Sequence, residues 1–326
     1  MARSIPFVTE PEVRYGTVAE MAPGLRRIVA NNPGKFTYRG TGTYIVGRGR
    51  VAILDPGPDD TEHVDALLAA VKGERVEAIL VTHTHRDHSP ASRALAEATA
   101  APVYGFGPHP VADTGNAPLA EPGDEESGPH PLGGTGDAKS DDAKIEERGD
   151  LEFIPDSTVV HGDVIEGPGW SFQCLHTPGH ISNHIAYRWR EMAGVFTGDH
   201  IMGWSTTIIP PPDGNMSDYM ASLRLLADSP GDRFYWPTHG PPVTEPYPLV
   251  EALYDHRLER ERQILECLAT GPATITEMVR TMYADVAPEL HEPASRSVLA
   301  HLIAMTADGR VTTGGQPTSK AVYCLP

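Results

Sequence analysis

The stretch His83-Thr84-His85-Arg86-Asp87-His88 follows directly on the apolar run VEAILVT, and it constrains this chain more than any other feature. Alternate side chains of an extended segment point the same way, so His83 and His85 present two imidazoles to one position. A turn after Arg86 then aims Asp87 and His88 at an adjacent one. One short loop thus offers four metal-ligand side chains. Imidazole and carboxylate without thiolate suit zinc, with iron or manganese as tenable substitutes.

The chain has 326 residues, and its length buries a full core as one large domain with a small appendage or as two medium domains. Three scattered cysteines, Cys174, Cys267 and Cys324, suit neither a disulfide framework nor a CxxC thiolate site. The leader MARSIPFVTEPEVRYG has no apolar signal region, and no apolar run approaches the roughly 18 residues of a membrane span. The expectation is an unexported, cytoplasmic protein in a reducing compartment.

Acidic side chains number 44 against 26 basic ones, a formal charge of -18. Spread evenly, that charge would repel nucleic acid and anionic membrane. It is segregated instead: 12 acids and 3 bases lie between Glu121 and Asp156, half of the net charge. Periodicity disappears from about residue 113 to 150 into Gly, Pro, Asp and Glu, the composition of a surface loop insertion. Such a loop is either a lid or inert.

TGTYIVG and RVAILDPG read as two strands after a polar leader, and Thr61 to Val71 as a helix capped by Asp60 or Thr61. The buried-strand run VEAILVTH, a helix over Pro90 to Ala100 and the strand APVYGF follow, an order that argues for an α/β layered domain. Beyond the insertion come STVVHGDVI, WSFQCLHTPGH, HIAYRW and GVFTGDHI as strands, a helix at Ser217 to Asp228, and RFYWPTHG. A domain boundary is expected near residue 245. Helices at Leu249 to Thr270, Thr274 to Tyr283 and Pro293 to Thr306, then a terminal hairpin, give winged-helix order over 246–326. This region carries ten acids and seven bases from Glu251 onward, which argues against DNA and for a structural or substrate-positioning appendage. The Arg and Glu alternation in HRLERERQ is expected to be a solvated helix face.

Three later positions place a polar ligand type at the end of a strand-like run beside Gly: His180 in LHTPGHISNH, Asp199 in GVFTGDH and His239 in FYWPTHG. With Asp55 and HxHxDH they complete a series that resembles the metallo-β-lactamase superfamily. The resemblance implies a four-layer αββα sandwich over residues 1–245, followed by a small winged-helix-like domain. It implies one metal held by His83, His85 and His180, a second held by Asp87, His88 and His239, and Asp199 bridging both. Asp55 would orient ligands by hydrogen bonding without touching metal. Two zinc ions in such a centre generate a bridging hydroxide near neutral pH, and Asp87, beside that nucleophile, is the candidate for handling its proton.

NNPGKFTYRGTGTYIVG, the stretch from GVFTGDH to SLRLL and the C-terminal HEPASRSVLAHL are similar to the beta-lactamase-like protein 2 group. An animal member of that group is an endoribonuclease on single-stranded RNA, and fungal relatives are thioesterases. Family membership therefore implies the centre better than the substrate. A single-strand binder needs a basic track with interleaved aromatics, which this sequence does not show. Hydrolysis of an ester, thioester or lactone of a small molecule stands first and RNA cleavage second. Iron-dependent redox chemistry and incidental β-lactam hydrolysis rank lower. No membrane partner is expected, and a homo-oligomer is compatible with the sequence.

His63, His109, His130, His161, His256, His291 and His301 are expected to be structural. His176, His184 and His200 lie inside ligand-bearing blocks and are candidates for supporting them. Trp204, Ser205 and Thr206 are expected at the pocket mouth.

Overall fold

The computed structural model describes residues 4–9, 12–110, 149–229, 231–284 and 291–326. The acidic insertion expected at about 113–150 lies, but for its last two residues, outside the described residues, as does His130. Among the described residues no helix is long and apolar enough to cross a membrane.

Strands β3 (Gly42–Arg48) and β4 (Arg50–Leu54) form an antiparallel hairpin that pairs Tyr44 with Leu54 and Val46 with Ala52. Their alternation sends Tyr44, Val46, Ala52 and Leu54 to one face and Ile45, Val51 and Ile53 to the other. β5 (Arg75–Leu80), β6 (Val103–Gly105) and β7 (Ser157–Thr158) add in parallel beyond β4, and β2 (Leu25–Val29) and β1 (Ala19–Ala22) add antiparallel beyond β3. Helices α1 (Thr61–Ala70), capped by the Asp60 side chain, and α2 (Ala91–Thr99) cover the second face through Val64, Leu67 and Leu95.

A five-stranded sheet runs in the order β12 (Phe234–Pro237), β11 (Gly194–Gly198), β10 (Ile185–Trp189), β9 (Trp170–His176), β8 (Val164–Gly167). Phe172, Tyr187, Phe196 and Trp236 on its inner side fill the space between the two sheets. Its outer side, with Leu175, Val195 and Tyr235, is covered by α3 (Met216–Ala227) and by Leu249, Val250 and Leu253 of α4 (Pro246–Ala269). Helix, sheet, sheet and helix make the expected four layers.

The far half of α4 enters another core. Ile264 and Leu268 pack with Met278 of α5 (Ile275–Met282), Val298 and Leu302 of α6 (His291–Ala307), and Tyr323. The small sheet β13 (Ala273–Thr274), β15 (Val322–Cys324), β14 (Thr312–Thr313) completes a winged-helix-like unit.

Two expectations need correction. The polar leader holds β1 and β2, hidden because Arg26 and Arg27 interrupt the apolar pattern; both are buried, and Arg27 donates to the Gly240 carbonyl. The HRLERERQ face is not wholly solvated. Arg257 and Glu261 are buried, because they continue the stripe of Leu253, Ile264 and Leu268 on one side of α4.

Candidate metal centre

β4 and β5 are parallel neighbours in one sheet and β11 and β12 in the other, so each pair ends at a common edge. The residues just beyond those ends are Asp55, His83, Asp199 and His239. His180 comes from the turn between β9 and β10, and its neighbour Gly179, at φ 138, lies where a Cβ would sit 2.4 Å from the Tyr219 Cα. The structure thus brings together all eight residues that the sequence singles out, from both sheets, and all are buried.

His83 Nε2 and His180 Nε2 lie 3.0 and 3.1 Å from His85 Nδ1. Beside them, His239 Nε2 and His88 Nε2 approach Asp87 Oδ2 at 3.1 and 3.3 Å. Asp199 spans the two groups: Oδ1 is 3.4 Å from His239 Nε2 and 3.6 Å from His88 Nε2, and Oδ2 is 3.9 Å from His180 Nε2. His83, His85 and His180 form one set of atoms close enough to hold an ion, Asp87, His88 and His239 another, and His83, His88 and Asp199 a third between them.

The far side of four rings fixes which nitrogen faces the centre. His88 Nδ1 meets Asp55 Oδ2 at 3.1 Å, His180 Nδ1 the Ile208 carbonyl at 2.6 Å, and His239 Nδ1 the Gly40 carbonyl at 3.3 Å. Acceptors there require N–H on each Nδ1 and leave Nε2 as the nitrogen aimed inward. Asp55 Oδ2 also accepts from Thr82 Oγ1, so that hydroxyl in turn accepts from His83 Nδ1 at 3.1 Å. One carboxylate thereby orients two imidazoles. Asp55 holds this place at φ 47, a left-handed conformation uncommon outside Gly.

Burial, with neighbouring imidazoles, pushes His83 well below its ordinary value and His85 down to about 3. Burial alone would favour neutral Asp87 and Asp199, but His88 and His239 outweigh it and hold both carboxyls ionised. The same charges act in reverse on the imidazoles: against burial, the carboxylates raise His88 well above its ordinary value and His239 to about 10. The pocket therefore has unprotonated nitrogen donors and a second side that demands positive charge. Among the described residues His88 Nε2 and Asp199 Oδ1 are buried without a hydrogen-bond partner. Both would be unfavourable unless a cation met them. This donor set fits a divalent metal centre.

Other residues support the centre. His184 Nε2 accepts the Asp199 backbone N–H at 3.2 Å while its Nδ1 meets Thr177 Oγ1 at 2.8 Å. Gly198, at φ 51, lies so close that a Cβ would come 2.5 Å from His184 Nε2. Thr84, between two candidate ligands, meets His109 Nδ1 and the Asn183 amide at 2.8 Å each. Asp150 is buried, accepting from Ser89 and Arg93, and its N–H donates to the Thr84 carbonyl. His109 and Asp150 carry no motif, so their place beside the centre has no signal in the sequence. The cleft over the cluster is lined by Lys35, Phe36, Met202, Trp204, Ile208 and Pro210. Ser205 and Thr206 lie on it too, as expected for the pocket mouth, and Tyr38 stacks on Trp204 with centroids 4.7 Å apart.

With fold and cluster in place, the family follows. The metallo-beta-lactamase superfamily model matches residues 38–239, so the chain belongs to that superfamily and is a hydrolase of it. The beta-lactamase associated winged helix domain matches residues 274–319. Among curated relatives, the beta-lactamase-like protein 2 homolog of Caenorhabditis elegans is 28% identical over 90% of this chain and 88% of its own. An atrochrysone carboxyl ACP thioesterase of Aspergillus chevalieri is 28% identical over 87% of this chain and 82% of its own. Among solved structures, a beta-lactamase domain protein from Burkholderia ambifaria shares the fold with a TM-score of 0.71 at 16% identity, over 97% of this chain and 96% of that one.

Proposed function

We propose that this protein is a dinuclear zinc hydrolase that cleaves an ester, thioester or lactone, with a thioester the foremost substrate class. The observation that carries the reading is the span of Asp199, whose two oxygens reach the two separate His-rich donor groups. His83, His85 and His180 would hold one ion, Asp87, His88 and His239 the second, and Asp199 both. Divalent cations in such a set supply Lewis acidity, which lowers the pKa of water and polarises a carbonyl. The Asp87 carboxylate, kept ionised and on the cleft lining, is the group placed to take the proton of the attacking water. Asp55 orients His83 and His88 throughout.

Phe36, Met202, Trp204, Ile208 and Pro210 make an apolar wall that receives an acyl group and excludes water around it. Among the described residues the cleft lining contains one Lys, Lys35, and no Arg, where a phosphodiester track would need several. The fungal relative named as a thioesterase supports the same choice. The reading is tested by metal analysis of the purified chain together with a panel of thioesters, lactones, a β-lactam and single-stranded RNA, run beside His85→Ala. Two metals per chain and His85-dependent thioester turnover are expected. A chain purified without metal, or turnover confined to RNA, refutes it.

A further inference from the structure

The helix that leads into the winged-helix-like unit reaches the centre through one buried cation. Arg257, on α4, is 3% exposed, and its Nη2 donates to the Thr207 carbonyl at 2.5 Å. Its guanidinium lies 5.2 Å over the Tyr219 ring. Among the described residues it has no carboxylate partner, since the acid one turn on, Glu261, pairs with Arg310 and faces His301. Its Nε has no hydrogen-bond partner among those residues either. A buried guanidinium that meets only a carbonyl and a ring face among the described residues is unfavourable for folding. Packing alone would be better served by a Met or Leu at this point of the stripe.

What Arg257 holds explains the arrangement. Thr207 Oγ1 donates to the Asp199 carbonyl at 2.7 Å and is 3.0 Å from the His200 carbonyl. The next residue, Ile208, offers the carbonyl that meets His180 Nδ1. Two adjacent residues thus set the backbone of Asp199 and the ring of His180, and the same loop supplies Thr206 and Ile208 to the cleft. Such a loop, with no strand partners of its own, needs an anchor outside itself.

We propose that Arg257 is a positioning residue for the metal centre: by holding the Thr207 carbonyl, the long C-terminal helix fixes the loop that orients His180 and Asp199. The C-terminal unit is then part of the hydrolytic machinery. This rests on the reading that the cluster binds metal.

The test uses the full chain as wild type, Arg257→Met, Arg257→Lys, Thr207→Val and the Arg257→Met/Thr207→Val double variant. Metal loss to an excess of chelator, metal content and thermal midpoint of the metal-free chain are measured for each. Arg257→Met is expected to lose metal about ten-fold faster, in line with other ligand-supporting groups. Arg257→Lys, which keeps a donor for the carbonyl, recovers part of that loss. The double variant releases metal no faster than the worse single, because both act through one loop. If Arg257→Met lowers the metal-free midpoint but releases metal at the wild-type rate, the role is structural and the proposal is overturned. If it does not fold, Arg257→Lys and Thr207→Val decide: wild-type release rates in both overturn it. A wild type that binds no metal refutes the underlying reading, and that result is visible before any variant is made.

Discussion

Asp55→Asn removes one charge without changing shape, and the structure says what should follow. Oδ1 of Asp55 accepts the Thr82 backbone N–H at 2.8 Å. Oδ2 accepts from Thr82 Oγ1 at 2.9 Å, Thr238 Oγ1 at 2.5 Å and His88 Nδ1 at 3.1 Å. An amide must turn its NH2 toward one of these sides. Facing Thr82 N–H it sacrifices one bond; facing the other side it sacrifices the His88 bond and obliges both Thr hydroxyls to reverse from donor to acceptor. The first orientation wins, at about 1.5–3 kcal/mol for a lost bond to a charged acceptor. The three surviving bonds weaken as well, since charge-assisted bonds are roughly twice as strong as neutral ones. A total loss of about 2–4 kcal/mol in the metal-free chain is expected by urea unfolding. His88 would meet a neutral acceptor, and metal affinity at the Asp87, His88 and His239 group should fall about 10- to 100-fold in chelator competition. The His83 group, reached only through the Thr82 hydroxyl, should change less. Wild-type affinity at both groups with unchanged stability would refute the role given to Asp55.

Gly198→Ala should destabilise by about 2–4 kcal/mol, from a left-handed backbone at φ 51 and a Cβ 2.5 Å from His184 Nε2, and it should lower metal content; a fully loaded, equally stable variant would contradict this. Burial lowers His63 to about 4 from an ordinary 6.5, against the pull of Asp60. The unfolded chain then binds the proton first, so stability is intact above about 6.5 and falls as pH drops toward 4, by about 3 kcal/mol. His63→Gln should make that part of the urea-midpoint profile of the metal-free chain shallower, the other buried imidazoles keeping the rest of the slope, and superimposable profiles would show that His63 does not contribute to it.

The layered α/β fold and the cluster were legible because their signals are local. A six-residue loop carries four of the candidate side chains, and Asp55, His180, Asp199 and His239 each stand beside a strand end that hydrophobic runs reveal. Burial behaves differently. Arg26, Arg27, Arg257 and Glu261 look like solvent-facing charges in sequence, and all four are buried. Whether a charge is buried depends on what packs against it from elsewhere in the chain, and no local pattern records that.

Residue types and their spacing thus specified the elements beyond β1 and β2, the type of ligand chemistry and the family. Which nitrogen of His88, His180 and His239 faces inward came from the fold, because acceptors for the far nitrogens arrive from Asp55, Ile208 and Gly40, distant in sequence from the rings they meet. The tie between the C-terminal helix and the Asp199 loop is of the same kind. Arg257 and Thr207 are 50 residues apart and share no motif; their hydrogen bond exists because α4 packs across the outer face of the second sheet.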